Sequence, residues 1–236
     1  MIFVSHNELV VLATKAFQGL RLPFGEADRI ANMVADLEMV GFEGVKLYIH
    51  ALHALKKTQS KPCHILSESS SKIDIDINGN SVVCHLPTIL DYVSNKLVEQ
   101  KQVTLTLHNS VNRWLAFGEI CHFPHEQLYI NATWYDEVSK RFIQFILELG
   151  KALPEVFTYQ IDSQTAEQYS QNKQLVINFS RKPFKFPPAD KIELHLNAKV
   201  LSEQKESIWE SGIPLKEEDW NELKQFAKLI LVPSNS

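Results

Sequence analysis

Residues 35–55 read ADLEMVGFEGVKLYIHALHAL. Two amphipathic stretches meet in it at Gly41-Phe42-Glu43-Gly44. Upstream, Ala27, Ile30, Ala31, Val34 and Leu37 recur on one helical face, and downstream a helix is expected from about Gly44 to Lys57. The junction sets a carboxylate beside an aromatic ring, and His50 and His53 follow on the next turns. The fold and any chemistry of the opening third both turn on this junction.

Toward the N-terminus, Ser5 and Glu8 have the spacing of a capping box, and Leu9, Leu12, Ala13, Ala16 and Phe17 continue as an apolar stripe. Gly19, Pro23 and Gly25 break that first helix. Toward the C-terminus, the polar stretch 56–72 reads as a linker, and KIDIDI (72–77) alternates as a strand with one wet face. Pro87 opens a helix through Leu90, Val93 and Leu97. VTLTLH (103–108) and QLYINAT (127–133) are strands, with a helical turn near Trp114–Ile120 between them. A helix is expected over Glu137–Leu149, with Phe142, Phe145, Ile146 and Leu149 inward and Gly150 as its stop. Strands VFTYQI, LVINFS and KIELHLNAKV follow, and a last helix starts near Lys216 with Trp220, Leu223, Phe226, Ala227 and Ile230 on its apolar face. The expected architecture is α/β: an N-terminal three-helix unit over residues 1–60, then a mixed sheet with flanking helices over 61–236. The helical unit either stands apart or packs on the sheet as one continuous domain.

Composition narrows the function classes. The 236 residues are 44% hydrophobic and carry a net charge of −4, with no concentrated Lys/Arg surface of the kind nucleic acid requires. No apolar run approaches the ~20 residues of a membrane helix, and the first residues lack the pattern of a signal peptide. Cys63, Cys84 and Cys121 form no C-x-x-C pair, which favours a reducing compartment, so a cytoplasmic protein is expected. Neither nucleic acid nor membrane is an expected partner.

The candidate chemistry is sparse. His50 and His53 share a helix face, but no third ligand stands at a metal-binding spacing, so no metal site is assigned. His122 and His125 flank Pro124 in what reads as a surface loop. Asp74 and Asp76 share one face of a strand, a solvated outer face being the simplest account. Phosphate-cradling glycine motifs and the G-x-S-x-G elbow are absent.

VSHNEL (4–9) and ADLEMVGFEGV (35–45) carry a resemblance. They are similar to the malate/L-lactate dehydrogenase-like family, NAD(P)H-dependent reductases of 2-oxo acids and cyclic imines whose fold is unlike the Rossmann dehydrogenases. That family has a V-S-x-x-E-L helix start and an A-D-L-R-G-V-D-S-H-G-V segment, against which Ala35, Asp36, Leu37, Gly44 and Val45 match. The family's Ser-His pair falls on Phe42 and Glu43, and its substrate-binding Arg on Leu47. In the middle of the chain, VTLTLHNSVNRWLAFG resembles the family's strand followed by N-S-x-H-F-G and a later glycine. Asn109, Ser110 and Gly118 match, whereas Asn112 replaces the His and Arg113-Trp114 the Phe-Gly. The resemblance runs to about residue 135, and the chain is shorter than usual for the family.

The resemblance implies homodimers, an NAD(P)H cofactor, and an imidazole that exchanges a proton with substrate, a role worth ~10²–10⁴-fold. Glu43 is the candidate catalytic residue, and it could act only if burial raised its pKa by two or more units. With the second His and the Arg clamp also replaced, the reductase reaction is expected to be lost. Asn109, Ser110, Asn112 and Arg113 are then candidate ligand-binding residues for a small molecule, although Asn109-Ser110 also suits a plain turn and Arg113-Trp114 a surface stacking pair. Two alternatives stand beside that reading: an active reductase with Glu43 as proton donor, and a non-enzymatic homodimeric interaction protein whose aromatic segments 131–145 and 206–215 supply contacts.

Overall fold

The computed structural model describes residues 1–21, 26–57, 61–123 and 127–230. The chain runs β1 (Ile2–Val4), α1 (His6–Gln18), α2 (Ala27–Met39), α3 (Gly44–Lys57), β2 (His64–Glu68), β3 (Lys72–Asp76), α4 (Val82–Glu99) and β4 (Gln102–His108). It continues through a 3₁₀ turn (Arg113–Leu115), α5 (Ala116–His122), β5 (Tyr129–Asp136), β6 (Arg141–Leu147), β7 (Glu155–Tyr159), α6 (Ser163–Asn172) and β8 (Leu175–Ser180). It ends with β9 (Ile192–Leu196), α7 (Ala198–Ser211), β10 (Ile213–Leu215) and α8 (Glu217–Ala227). Among the described residues no helix is long and apolar enough to cross a membrane.

The expected capping box is present. The Ser5 hydroxyl accepts from the Glu8 N–H at 3.2 Å and the Glu8 carboxylate accepts from the Ser5 N–H at 2.7 Å, so two orphan donors of α1 are satisfied. Three helices open the chain as read from the sequence, but their apolar faces do not close on themselves. The buried side chains of α1, α2 and α3 belong to the same core cluster as those of the sheet. α8, from the far end of the chain, contributes Leu223 and Phe226 to that cluster, and β1 pairs antiparallel with β10.

The main sheet has eight strands in the order β2-β3-β4-β8-β5-β6-β7-β9, and β3-β4 is its one parallel pair. One face is apolar, through Ile73, Leu105, Ile177, Ala132, Phe145 and their neighbours. The opposite face is a mesh of polar side chains: Thr104 donates to Asn178 at 2.8 Å, Gln144 to Asn131 at 2.9 Å, and Tyr159 to Gln144 at 3.0 Å.

Several expectations are corrected. Glu137–Leu149 is not a helix; residues 141–147 form β6, paired with β5 and β7. Phe142, Phe145 and Ile146 match helical spacing by accident, because Phe142 and Ile146 share the strand's second face with Gln144, so apolar and polar residues do not alternate along it. The linker 56–72 contains β2, an edge strand exposed along its whole length, Ile65 and Leu66 included. α4 starts at Val82, so Pro87 lies inside the helix. The segment after Leu196 is α7, capped by the Asn197 side chain, and α6 is a further helix that sequence periodicity did not reveal. Asp74 is not on a solvated face. It is buried, accepts from Ser67 Oγ at 2.5 Å and pairs with Lys72 at 3.1 Å, because β2 and β4 flank its strand on both sides.

Candidate functional site

The junction between α2 and α3 is a tight, determined turn. Gly41 and Glu43 both take positive φ, 81° and 48°. Gly44 then opens α3 against the backbone of α2: a Cβ there would lie 2.3 Å from the Val34 carbonyl oxygen. Only glycine permits that approach, which seats Phe42 and Glu43 over the middle of the fold. Gly118 plays the same part where α5 crosses α2, since its Cβ would lie 2.6 Å from Met33 Cα.

Phe42 turns inward. Its ring centroid lies 5.3 Å from Trp114 and 5.7 Å from Phe117, and Trp114 stands edge-on to Trp134 at 5.4 Å and to Phe145 at 5.7 Å. Of these rings, Phe42 and Trp114 line a cavity of about 410 Å³, together with Glu43, Lys46, Leu47, His50, Asp136 and Val138. The size suits a small organic ligand.

Glu43 sits on the rim, not in the floor. Its side chain is 59% exposed and pairs with Lys46 at 3.1 Å and Lys216 at 3.6 Å. The hydrogen-bonded Lys46 ammonium holds the carboxyl below its ordinary pKa, against a smaller opposing push from partial burial. That is the reverse of what proton donation near neutral pH requires.

The four other candidate residues fall into two pairs. Asn109 donates to Asp76 at 3.0 Å, and the buried Ser110 hydroxyl donates to the Lys173 carbonyl at 2.7 Å. Asn109 thus ties the end of β4 to the end of β3, and Ser110 ties it to the segment after α6. Neither Asn112 nor Arg113 lines the cavity, and Arg113 is no surface residue: its guanidinium is buried and ion-paired with Glu137 of the β5–β6 hairpin. Trp114 packs into the aromatic floor instead of stacking on Arg113.

His50, weighed from the sequence only as a metal ligand, lines the cavity, and so do Asp136 and Val138, which the sequence did not single out. Glu43, Lys46, Leu47 and His50 follow one helical face, a spacing that was available to find His50. Asp136 and Val138 were hidden by reading their segment as the start of a helix. His53 turns away and meets Glu222 of α8 at 2.5 Å, so it does not converge with His50. Among the described residues no group of three His, Cys, Asp or Glu side chains could hold a metal ion.

A larger cleft, about 580 Å³, lies between α2, α4 and α5. Its charges are spent on one another. Arg29 reaches Glu119 at 2.9 Å and Asp91 at 3.2 Å, and His122 meets the buried Asp36 at 2.8 Å at the mouth. His122 was read as a loop residue and is instead the last residue of α5; His125 lies outside the described residues.

Residues 4–84 match a family described as a protein of unknown function (DUF3726). No curated protein matches the chain. Among solved structures, a dehydrogenase from Sinorhizobium meliloti is similar at 9% identity, with a TM-score of 0.66 over 96% of this chain and 99% of that one. A malate dehydrogenase from Pyrococcus horikoshii is similar at 11% identity and TM-score 0.64, over 98% and 96%. A delta1-piperideine-2-carboxylate reductase from Pseudomonas syringae is similar at 10% identity and TM-score 0.63, over 96% and 100%. The likeness therefore continues well past residue 135, and the fold of the whole chain is malate/L-lactate dehydrogenase-like.

Proposed function

We propose that this chain binds a small molecule in the Phe42–Trp114 cavity and has lost the proton transfer of the reductases it resembles. One observation carries the reading: an aromatic-floored cavity of ligand size persists beside the α2–α3 junction, while Glu43, standing where the resemblance puts a catalytic imidazole, is exposed and held ionised by Lys46. Leu47 in place of an arginine leaves no bidentate clamp for a substrate carboxylate there. The lining also fits a dinucleotide poorly. Among the described residues of the lining Lys46 is the one permanent cation, and its pairing with Glu43 leaves no cradle for phosphates. A cytoplasmic setting accords with three free cysteines.

The test is oxidation of NADH and NADPH, with pyruvate as oxidant, by the wild type and by Glu43→Gln. The expected result is no turnover by either protein. Turnover that Glu43→Gln abolishes would overturn the reading in favour of an active reductase with Glu43 as donor.

A second reading, a homodimeric interaction protein, draws on one feature. Trp209 of the segment 206–215 is 67% exposed and Phe3 64% exposed along one groove, whereas Trp134, Phe142 and Phe145 of the segment 131–145 are buried. Sedimentation equilibrium decides it: a monomer at micromolar concentration removes this reading and leaves the first untouched.

A further inference from the structure

The lining of the Phe42–Trp114 cavity is uneven in charge. Among its described residues, two carboxylates, Glu43 and Asp136, stand against one permanent cation, Lys46, and one imidazole, His50. Lys46 donates to Glu43 at 3.1 Å, and Lys216 approaches the same carboxylate at 3.6 Å from outside the lining. Glu43 is therefore compensated twice, and Asp136 is left over. Its Oδ2 accepts from the Ser139 N–H at 2.8 Å, which ties the turn after β5. The basic residue opposite it in the sheet is Arg141, whose guanidinium pairs with Glu193 instead. Among the described residues Asp136 enters no ion pair.

That carboxylate shares the cavity with two half-buried aromatic rings, Phe42 and Trp114. Asp136 lies two residues beyond Trp134 on the same face of β5, and the Trp134 ring stands 5.4 Å from Trp114. Ring faces and a carboxylate attract the same kind of charge, since the negative face of an aromatic quadrupole draws a cation. A ligand carboxylate meets repulsion from Asp136 and finds a leucine, Leu47, where the resembled reductases have an arginine. An uncharged ring uses the apolar walls and leaves Asp136 without a partner. An ammonium carried on a ring uses both. We propose that the cavity takes an arylalkylamine in its ammonium form, with the ring against Phe42 and Trp114 and the charged nitrogen at Asp136. The proposal rests on the small-molecule reading of this cavity and adds the charge class of the ligand, opposite to that of the 2-oxo acids.

The experiment titrates the full chain with indole, tryptamine and indole-3-propionate, which share a ring and differ in the charge of the attached group, and follows binding by calorimetry and amide NMR. Tryptamine is expected to bind roughly tenfold tighter than indole, with added shifts at Asp136 and Val138, and indole-3-propionate to bind more weakly than indole. Asp136→Asn keeps an acceptor for the Ser139 N–H and removes the charge, so the ratio of tryptamine to indole affinity is expected to fall to about one. A salt series on the wild type makes the test independent of that variant: at about 1 M salt, where the Debye length is about 3 Å, most of tryptamine's advantage over indole should disappear. Tryptamine binding no tighter than indole, or indole-3-propionate binding tightest, overturns the charge class and leaves the small-molecule reading standing. A tryptamine preference that survives both Asp136→Asn and high salt overturns the part given to Asp136. Failure of all three probes to bind overturns this inference and the small-molecule reading together.

Discussion

The Glu38 carboxylate, near the end of α2, accepts a hydrogen bond from the Val45 backbone N–H at 2.8 Å, in the first turn of α3. The bond spans the turn that presents Phe42 and Glu43, so one side chain fixes the rim of the candidate site. Burial pushes the Glu38 pKa up to about 7, against the downward pull of that hydrogen bond.

A pH dependence follows. The folded pKa lies above the unfolded one, so folding is unpenalised below about pH 4.5 and loses stability as pH rises through about 7. Glu38→Gln keeps an acceptor for Val45 and removes the buried charge. At pH 8 it should be more stable than the wild type by about 1–2 kcal/mol, and the difference should vanish near pH 4.5. Thermal melts across that range check it.

Gly44→Ala should cost about 2–4 kcal/mol, because its Cβ meets a backbone oxygen with no freedom to move. Ligand binding at the cavity should weaken along with stability, since Phe42 and Glu43 ride on the same approach of α3 to α2. Denaturant unfolding measures the first effect, and calorimetry with the purified variant the second.

His122 gives a second pH signature of the opposite usefulness. Its hydrogen bond to Asp36 raises its pKa above the ordinary value, partly offset by burial. Its contribution is therefore full below the unfolded pKa of about 6.5 and is lost as pH rises through the raised folded value. His122→Ala should destabilise the chain at pH 5.5 and leave it close to the wild type at high pH. The side chain is 65% exposed, so solvent screening keeps the effect small.

Trp114→Ala should lose about 2–3 kcal/mol and the aromatic floor with it, whereas Trp114→Phe should retain most of both. The loss follows from edge-on contacts to Trp134 and Phe145 and a tilted one to Phe42. Comparing the two variants by chemical denaturation separates ring packing from a general failure to fold.

The parts of this fold that were legible in the sequence are those whose cause is local. The Ser5–Glu8 box, the stripes of α1 and α2, and the α8 face at Leu223 and Phe226 arise from spacing alone. β6 was hidden because Phe142 and Ile146 share the second face with Gln144, so apolar and polar residues do not alternate along it. α6 was hidden because none of its residues is buried, so it has no apolar stripe to read. At the site, Glu43 and Arg113 were legible as residues but not as environments. Exposure of one and burial of the other depend on Lys46, Lys216 and Glu137, and the last two are brought there by distant stretches of chain.

The central proposal, that the Phe42–Trp114 cavity binds a small molecule, is tested most directly by amide NMR of the full chain titrated with indole, a ring that can stack on Phe42 and Trp114. Shifts confined to Phe42, Leu47, Val138 and the Trp114 indole N–H, saturating at about 1–5 mM or below, are the predicted result. Absence of any shift at saturating indole, or shifts centred on the Trp209 groove while those four stay still, would contradict it.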